Sequence, residues 1–225
     1  IKLIPKSFTK KIARLINFSS SKSFHDGYPH LVGFFSKKEL RNMIKGYEEV
    51  WQDNLLNKIK LISNGSTGLK GAEKIDRKGF LSHNLMVSDK ASMLASIELR
   101  VPLLDEDLYQ YGKSLPAERK INLFATKIPL AKEIEKHLPK KLIARPKVGF
   151  NPPLNQLIDA FTKDELYDEL SKIKGFIKQD EIQNILEKHF SKNEDNTYKI
   201  WQLLYLKSWI EQCYDNNFKD KAFAK

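Results

Sequence analysis

Ser88-Asp89-Lys90-Ala91-Ser92-Met93-Leu94-Ala95-Ser96-Ile97-Glu98-Leu99-Arg100-Val101-Pro102-Leu103-Leu104-Asp105 is the most densely patterned stretch of this chain. Two acids, an arginine and a proline stop surround a short helical run. Asp89 is a residue type that caps a helix by accepting from its first free N–H groups, which predicts a helix over 91–97. Pro102 limits that run because it restricts the residue before it. Asp105 offers a second cap, and Glu106 and Asp107 follow in a first turn where negative charge suits the helix dipole. Glu98 and Arg100 therefore fall where the chain leaves one helix for the next. Ionisable side chains at such a junction form either a structural ion pair or the rim of a site.

Outward from this stretch, helical spacing dominates. Residues 8–18 place Ile12, Leu15 and Ile16 among lysines at the three-to-four spacing of an amphipathic helix. A serine-rich break covers residues 19–23. Ser36-Lys37-Lys38-Glu39 reads as a capping box ahead of Leu40, Met43 and Ile44. Residues 47–62 form the next predicted helix, with Trp51, Leu55 and Ile59 four apart. A glycine loop near 64–71 ends it, and its spacing fits neither common phosphate loop. Asn64-Gly65-Ser66 matches a glycosylation acceptor only formally and reads as part of that loop.

Beyond the central stretch, Leu108 and Tyr111 stripe a short helix that stops at Leu115-Pro116. Pro129 fits the first turn of another, where its missing N–H costs little. Leu130, Ile134 and Leu138 line that helix's inner face, and Pro139 ends it. Asp180 is placed to cap a helix carrying Ile182, Ile185, Leu186 and Phe190. The last helix carries Ile200, Trp201, Leu204, Ile210 and Cys213, and both Trp201 and Trp209 read as core. Residues 214–225 form a polar tail. No stretch alternates clearly enough for a strand, so the expected class is mainly α.

Composition excludes several functions. A hydrophobic content of 41% with 13 phenylalanines argues against disorder. No apolar run approaches a membrane span and no signal peptide is visible, while one cysteine, Cys213, allows no internal disulfide. Together these predict a cytoplasmic protein. The formal charge of +11 is the best argument for a nucleic-acid partner. However, its lysines are spread along the chain among 28 acids and form no arm, recognition helix or aromatic RNA motif, so neither nucleic acid nor membrane is expected as a partner. His83, His137 and His189 lack metal-ligand spacing, and no metal site is expected.

The central stretch, as Asp-x-x-Ser-Met followed by Glu-x-Arg-Val-Pro-x-Leu-Asp, resembles the signature of the synthetase domain of glutamine-hydrolysing asparagine synthetases. Further matches fall in that family's order: Asp76 before Phe80-Leu81 and Asn84-Leu85-Met86, then Leu115-Pro116, and then Thr126-Lys127. Arg145-Pro146-Lys147-Val148-Gly149-Phe150 with Pro152-Pro153-Leu154 follows, and Ile200-Trp201-Gln202-Leu203-Leu204 with Trp209 closes the series. Residues 30–213 are covered, and 1–213 are assigned to a partial synthetase domain.

This resemblance implies the helical C-terminal portion of an α/β synthetase domain of the adenine-nucleotide α-hydrolase (PP-loop ATP pyrophosphatase) type. The family's Ser-Gly-Gly-x-Asp-Ser loop and its Gly-Glu/Asp-Gly-x-Asp-Glu motif do not occur in these residues. The chain therefore reads as part of a longer synthetase, with a natural short paralogue as the alternative. The expected partners are the glutaminase and PP-loop segments of the same protein, with aspartate and glutamine as substrates; a homo-oligomer is also possible.

The resemblance further implies ATP and Mg2+ in the intact parent, and no tight cofactor binding by this segment alone. ATP activates the aspartate side-chain carboxylate, and ammonia from glutamine then attacks. Negative charge builds on the phosphates, where fixed cations help most. Lys147 is the leading candidate for that task, on a loop stiffened by prolines and opened by Gly149. Arg145 and Lys127 are weaker nucleotide-binding candidates, and for Lys127 the alternative is a solvated lysine beside a capping Thr126. Glu98 is the second catalytic candidate, because in β-lactam-forming relatives the matching glutamate orients a tyrosine base. Here it can instead pair with Arg100 or Lys147. Asp89, Arg100, Asp105 and Gly149 are expected to be structural near the site.

Two other readings stay open. One is an amide-forming ligase with a different acid substrate, and the other is a non-catalytic basic helical module. An upstream Ser-Gly-Gly-x-Asp loop separates the first two readings from the third.

Overall fold

A computed structural model describes residues 6–122, 124–143 and 152–214. In chain order the helices are α1 (Lys6–Ser19), α2 (Phe24–Val32), α3 (Lys37–Met43), α4 (Glu49–Ser63), α5 (Gly68–Asp76), α6 (Ser82–Leu94) and α7 (Glu106–Ser114). They continue as α8 (Ala117–Lys120), α9 (Ile128–Ile134), α10 (Lys140–Ile143), α11 (Leu154–Asp159), α12 (Lys163–Ser171), α13 (Gln179–Phe190) and α14 (Thr197–Trp209). The fold is mainly α, as expected. Among the described residues the only β pairings are the isolated bridges Ile44–Ile177 and Ile121–Thr126. No helix of the described residues is long and apolar enough to cross a membrane.

The chain divides into two compact units. The first takes Ile1–Leu55 and Phe150–Lys225, and it holds an apolar core. Leu166 and Leu170 of α12 meet Ile182, Ile185 and Leu186 of α13 and Ile200 and Leu203 of α14, with Ile158 and Met43 closing the cluster. The apolar positions recur at three-to-four spacing, so each helix turns one stripe inward. Each fully buried Leu or Ile contributes about 1.5–3 kcal/mol. Two capping boxes set helix starts. Ser36 and Glu39 bond reciprocally at α3, and Thr162 and Glu165 do so at α12. Between them, Lys178 N–H donates to Met43 O and Lys45 N–H to Phe176 O, both at 2.9 Å. These bonds join segments far apart in sequence.

The second unit takes Leu56–Gly149. Its axis is one continuous helical run through α5, a π turn at Arg77–Leu81, and α6. Lys74 closes the preceding turn by donating to Ser63 O at 3.1 Å and Ser66 Oγ at 2.8 Å. Lys120 bonds Glu73 at 2.9 Å, and the Arg77 guanidinium lies 4.9 Å over the Tyr109 ring. Buried apolar side chains are few, with Ile59 and Ile75 inside.

Several sequence expectations need correction. Asp89 is not a cap but sits within α6, because the helix is already under way from Gly68. That helix also stops before Ile97. Ser96 adopts φ +57, and Ile97 N–H donates to Ser92 O while Ser96 N–H donates to Met93 O. This is a Schellman closure with serine in the place usually held by glycine. The glycine loop is shorter than expected, because Gly68 and Gly71 belong to α5 while Asn64 and Gly65 make the turn at positive φ. Asp180 lies in the first turn of α13, two residues past the cap position held by Lys178. Trp201 and Trp209 are 40% and 47% exposed, because the buried stripe of α14 runs through Ile200 and Leu203 instead. Leu130 and Leu138 are exposed as well.

Candidate active-site segment

The junction after α6 is built as an extended strap. Its helix ends in the serine-capped closure, residues 97–101 run without regular structure, and a 3-10 turn at Pro102–Leu104 leads to α7. Asp105 caps α7 as expected, accepting from Asp107 N–H at 3.1 Å and Leu108 N–H at 3.2 Å. Glu106 and Asp107 fill the first turn, where they face the positive end of the helix dipole.

On the strap, Glu98 Oε1 stands 2.8 Å from Arg100 Nη2. Both side chains are open to solvent, at 69% and 81% exposure, so the pair adds at most about 1 kcal/mol. The two side chains at the junction form an ion pair. The carboxylate keeps its second oxygen available to a ligand, and the guanidinium keeps most of its donors. Asp89 is exposed on α6.

Lys127 is positioned by a tight reversal. Asn122 Oδ1 accepts from Phe124 N–H at 2.9 Å and Ala125 N–H at 2.8 Å, and Ile121 pairs with Thr126. Lys127 then takes the left-handed conformation, φ +55, at the cap position of α9, with Pro129 in the first turn. A non-glycine residue held there costs about 1–2 kcal/mol. Thr126 does not cap the helix, since the cap position falls on Lys127, which is exposed. Lys147, Arg145 and Gly149 lie outside the described residues.

The feature that reading by residue type missed is apolar. Phe80, Met86, Val87, Met93, Leu94, Ile97, Leu99, Val101 and Leu103 are all exposed, Leu94 to 90%. The motif stretch thus presents a nearly unbroken run of uncovered hydrophobic side chains. A signal for it was present in the sequence. Leu85-Met86-Val87 and Met93-Leu94 place apolar groups all round α6 rather than on one stripe, the mark of a helix meant for burial on several sides.

For nucleotide phosphates, the described segment offers exposed Lys127, and it offers Arg100 through the donors Glu98 leaves free. For a divalent metal it offers no cluster, since no three His, Cys, Asp or Glu side chains among the described residues converge. Magnesium is therefore assigned to none of them.

Comparison with known proteins bears on the family of the chain. The family model for asparagine synthase matches residues 11–211. A Mycobacterium tuberculosis protein provisionally named asparagine synthetase (glutamine-hydrolyzing) is 27% identical over 183 residues, covering 78% of this chain and 28% of its own length. Its Mycobacterium bovis counterpart aligns identically. Asparagine synthetase (glutamine-hydrolyzing) 1 of Bacillus subtilis is 31% identical over 140 residues, 58% of this chain and 22% of its own length. No solved structure matches. The chain spans less than a third of the length of these curated relatives. With ordered motifs and a match running almost end to end, the chain belongs to the asparagine synthase family.

Proposed function

We propose that this chain is the C-terminal part of an ATP-dependent amidotransferase that adenylates the side-chain carboxylate of aspartate and forms asparagine with ammonia from glutamine. The single observation that carries this reading is the uncovered apolar run through the signature. A segment bearing Glu98 and Arg100 beside so much exposed hydrophobic surface fits one wall of a larger site. The nucleotide loops and glutaminase would come from other parts of the same protein. On this reading the segment alone neither binds ATP tightly nor makes asparagine, since the backbone cradle for pyrophosphate is not among its residues.

Lys147 supplies the positive charge that meets the phosphates as negative charge grows on them. Such charge stabilisation at a developing anion is worth about 10²–10³ in rate. Glu98 acts by holding Arg100 in place rather than by moving a proton, a role its ion pair with that guanidinium supports.

The test is Lys147→Ala in the full-length synthetase. Adenylate formation, followed by pyrophosphate release, should fall by about 10²–10³ while glutamine hydrolysis persists. Unchanged pyrophosphate release removes Lys147 from the site. Glu98→Gln should cost much less, and a loss equal to that of Lys147→Ala would restore a proton-transfer role.

A further inference from the structure

The last long helix of the first unit, α14, carries two stripes. One runs through Ile200 and Leu203 and is sealed in the core. The other turns outward. Tyr198, Gln202, Tyr205 and Trp209 follow one another at steps of four, three and four residues, which keeps them on one helix face. Tyr198 is 39% exposed, Tyr205 65% and Trp209 47%, and Gln202 is exposed with them. Trp201, also exposed, flanks the row. Alternating steps of three and four are the spacing of a seam where one helix packs on another.

An apolar groove runs beside this face, with Phe34 and Leu40 among its lining. Phe34 stacks on Tyr198, with ring centroids 4.9 Å apart and planes 4° from parallel, and so steadies that end of the row. The groove's Met43 and Leu203 are buried, so a partner meets the exposed rings above them. No residue lining the groove is charged, in a chain whose residues are 30% charged.

Spacing, symmetry and charge together identify the occupant. Steps of three and four suit a helix, and they set aside an extended peptide or a small ligand. The order four, three, four reads the same in either direction, so the row is complementary to itself when a second α14 lies antiparallel across it. About a midpoint between Leu203 and Leu204, Tyr198 then meets the second copy's Trp209, and Gln202 meets the second copy's Tyr205. Each pair occurs twice, as a two-fold contact requires. The Gln202 amide carbonyl can accept from the tyrosine hydroxyl, and the Tyr198 and Trp209 rings can stack or meet edge to face. Two copies of net charge +11 repel over most of their surfaces, and this face brings no charge into the contact.

We propose that the outer face of α14 is a homodimer interface, with two copies packed antiparallel through Tyr198, Gln202, Tyr205 and Trp209. Tyr and Trp are the residue types in which interface energy concentrates. The exposed parts of the four aromatics come to about 400 Å² per copy, half of the ~800 Å² that each partner buries in a standard interface. The dimer is therefore weak and reversible, with a dissociation constant on the order of 10–100 µM. It tightens as salt rises, because screening removes repulsion and no ion pair holds the contact.

The test is analytical ultracentrifugation of the full chain over about 1–500 µM. Sedimentation should follow a monomer–dimer equilibrium that strengthens between about 0.05 and 0.5 M salt. Gln202→Glu and Tyr205→Glu each set two like charges close to the two-fold axis while lowering the net positive charge of the chain. Both should weaken the dimer at least about tenfold with an unchanged melting temperature, since both positions are exposed. Leu94→Glu, in the exposed run of the signature stretch, should leave the equilibrium as it is. A dimer indifferent to both α14 substitutions, or one lost with Leu94→Glu, would overturn the proposal. So would open-ended oligomers, since a two-fold contact closes at two. A monomer throughout the range would also overturn it and leave the face to another segment of the same protein. Because the readout is mass, the result is independent of whether the chain serves an amidotransferase.

Discussion

The two units of this chain put similar residues to opposite use. In the first, Leu170 and Ile182 are fully buried and three helices share one apolar core. In the second, leucines and isoleucines are as plentiful, yet Leu94, Ile97 and Leu103 stand in the open, and among its described residues only Ile59 and Ile75 are buried hydrophobics. The first unit has the core of a self-sufficient fold. The second is held by polar links, Lys120–Glu73 and Arg77 over Tyr109, which stabilise far less than a core does. Its exposed hydrophobic side chains run through the stretch that carries the family signature.

The largest expected effect tests this contrast directly. Leu170→Ala in the first unit should cost about 2–5 kcal/mol in denaturant unfolding, through lost burial and a cavity. Leu94→Ala in the second should change stability by less than about 0.5 kcal/mol. Comparable losses would mean that both units have working cores.

Amide exchange should sharpen the same contrast. Protection at Ile182 and Leu186 of α13 should approach the global unfolding free energy, whereas Met86 and Val87 of α6 should exchange through local opening. Uniform protection would contradict the division.

Capping comes next in size. Thr162→Ala removes one half of the α12 capping box and should cost about 1 kcal/mol of overall stability. Asp105→Ala removes the α7 cap, and its effect should stay local, seen as faster exchange in residues 106–110.

The smallest effect is electrostatic. Hydrogen bonds from Lys172 and then Lys207 hold the Glu169 carboxyl down at about 2, against an ordinary 4.5. A lowered folded pKa contributes stability that is complete above the unfolded value and is lost as pH falls from about 4.5 through 2. Glu169→Gln should therefore flatten that limb of the stability–pH curve, by little, because Glu169 and Lys172 are open to solvent. An unchanged limb would show that the ion pairs are not populated.

Much of this was legible in the sequence, for local reasons. The Ser36–Glu39 capping box, the Asp105 cap and Pro129 in a first turn depend on residues at most three apart, and all three formed. The Thr162-Lys163-Asp164-Glu165 box had the same pattern and was equally readable. Asp89 misled because a good capping residue is also tolerated on an exposed helix face, and nothing nearby in sequence shows that the helix began twenty residues earlier. The glycines misled in the same way: Gly71 looks like a loop residue yet sits in α5. For the candidate site, Glu98 and Arg100 were recognised as junction residues from spacing alone, and their pairing at 2.8 Å needed coordinates.

Residue order was sufficient to specify helical class, the starts of α3 and α7 and membership of a family, because capping boxes, periodicity and motif spacing act over a few residues. Which apolar stripes are covered was not readable from order. Trp201 looked like core and is half open, while Ile200 beside it is sealed. Burial depends on what another, distant segment brings against a surface, and that is a property of packing in three dimensions. The same reason explains why the open face of α14 came to light only in the fold: whether the row from Tyr198 to Trp209 is covered depends on neighbours that sequence does not place beside it.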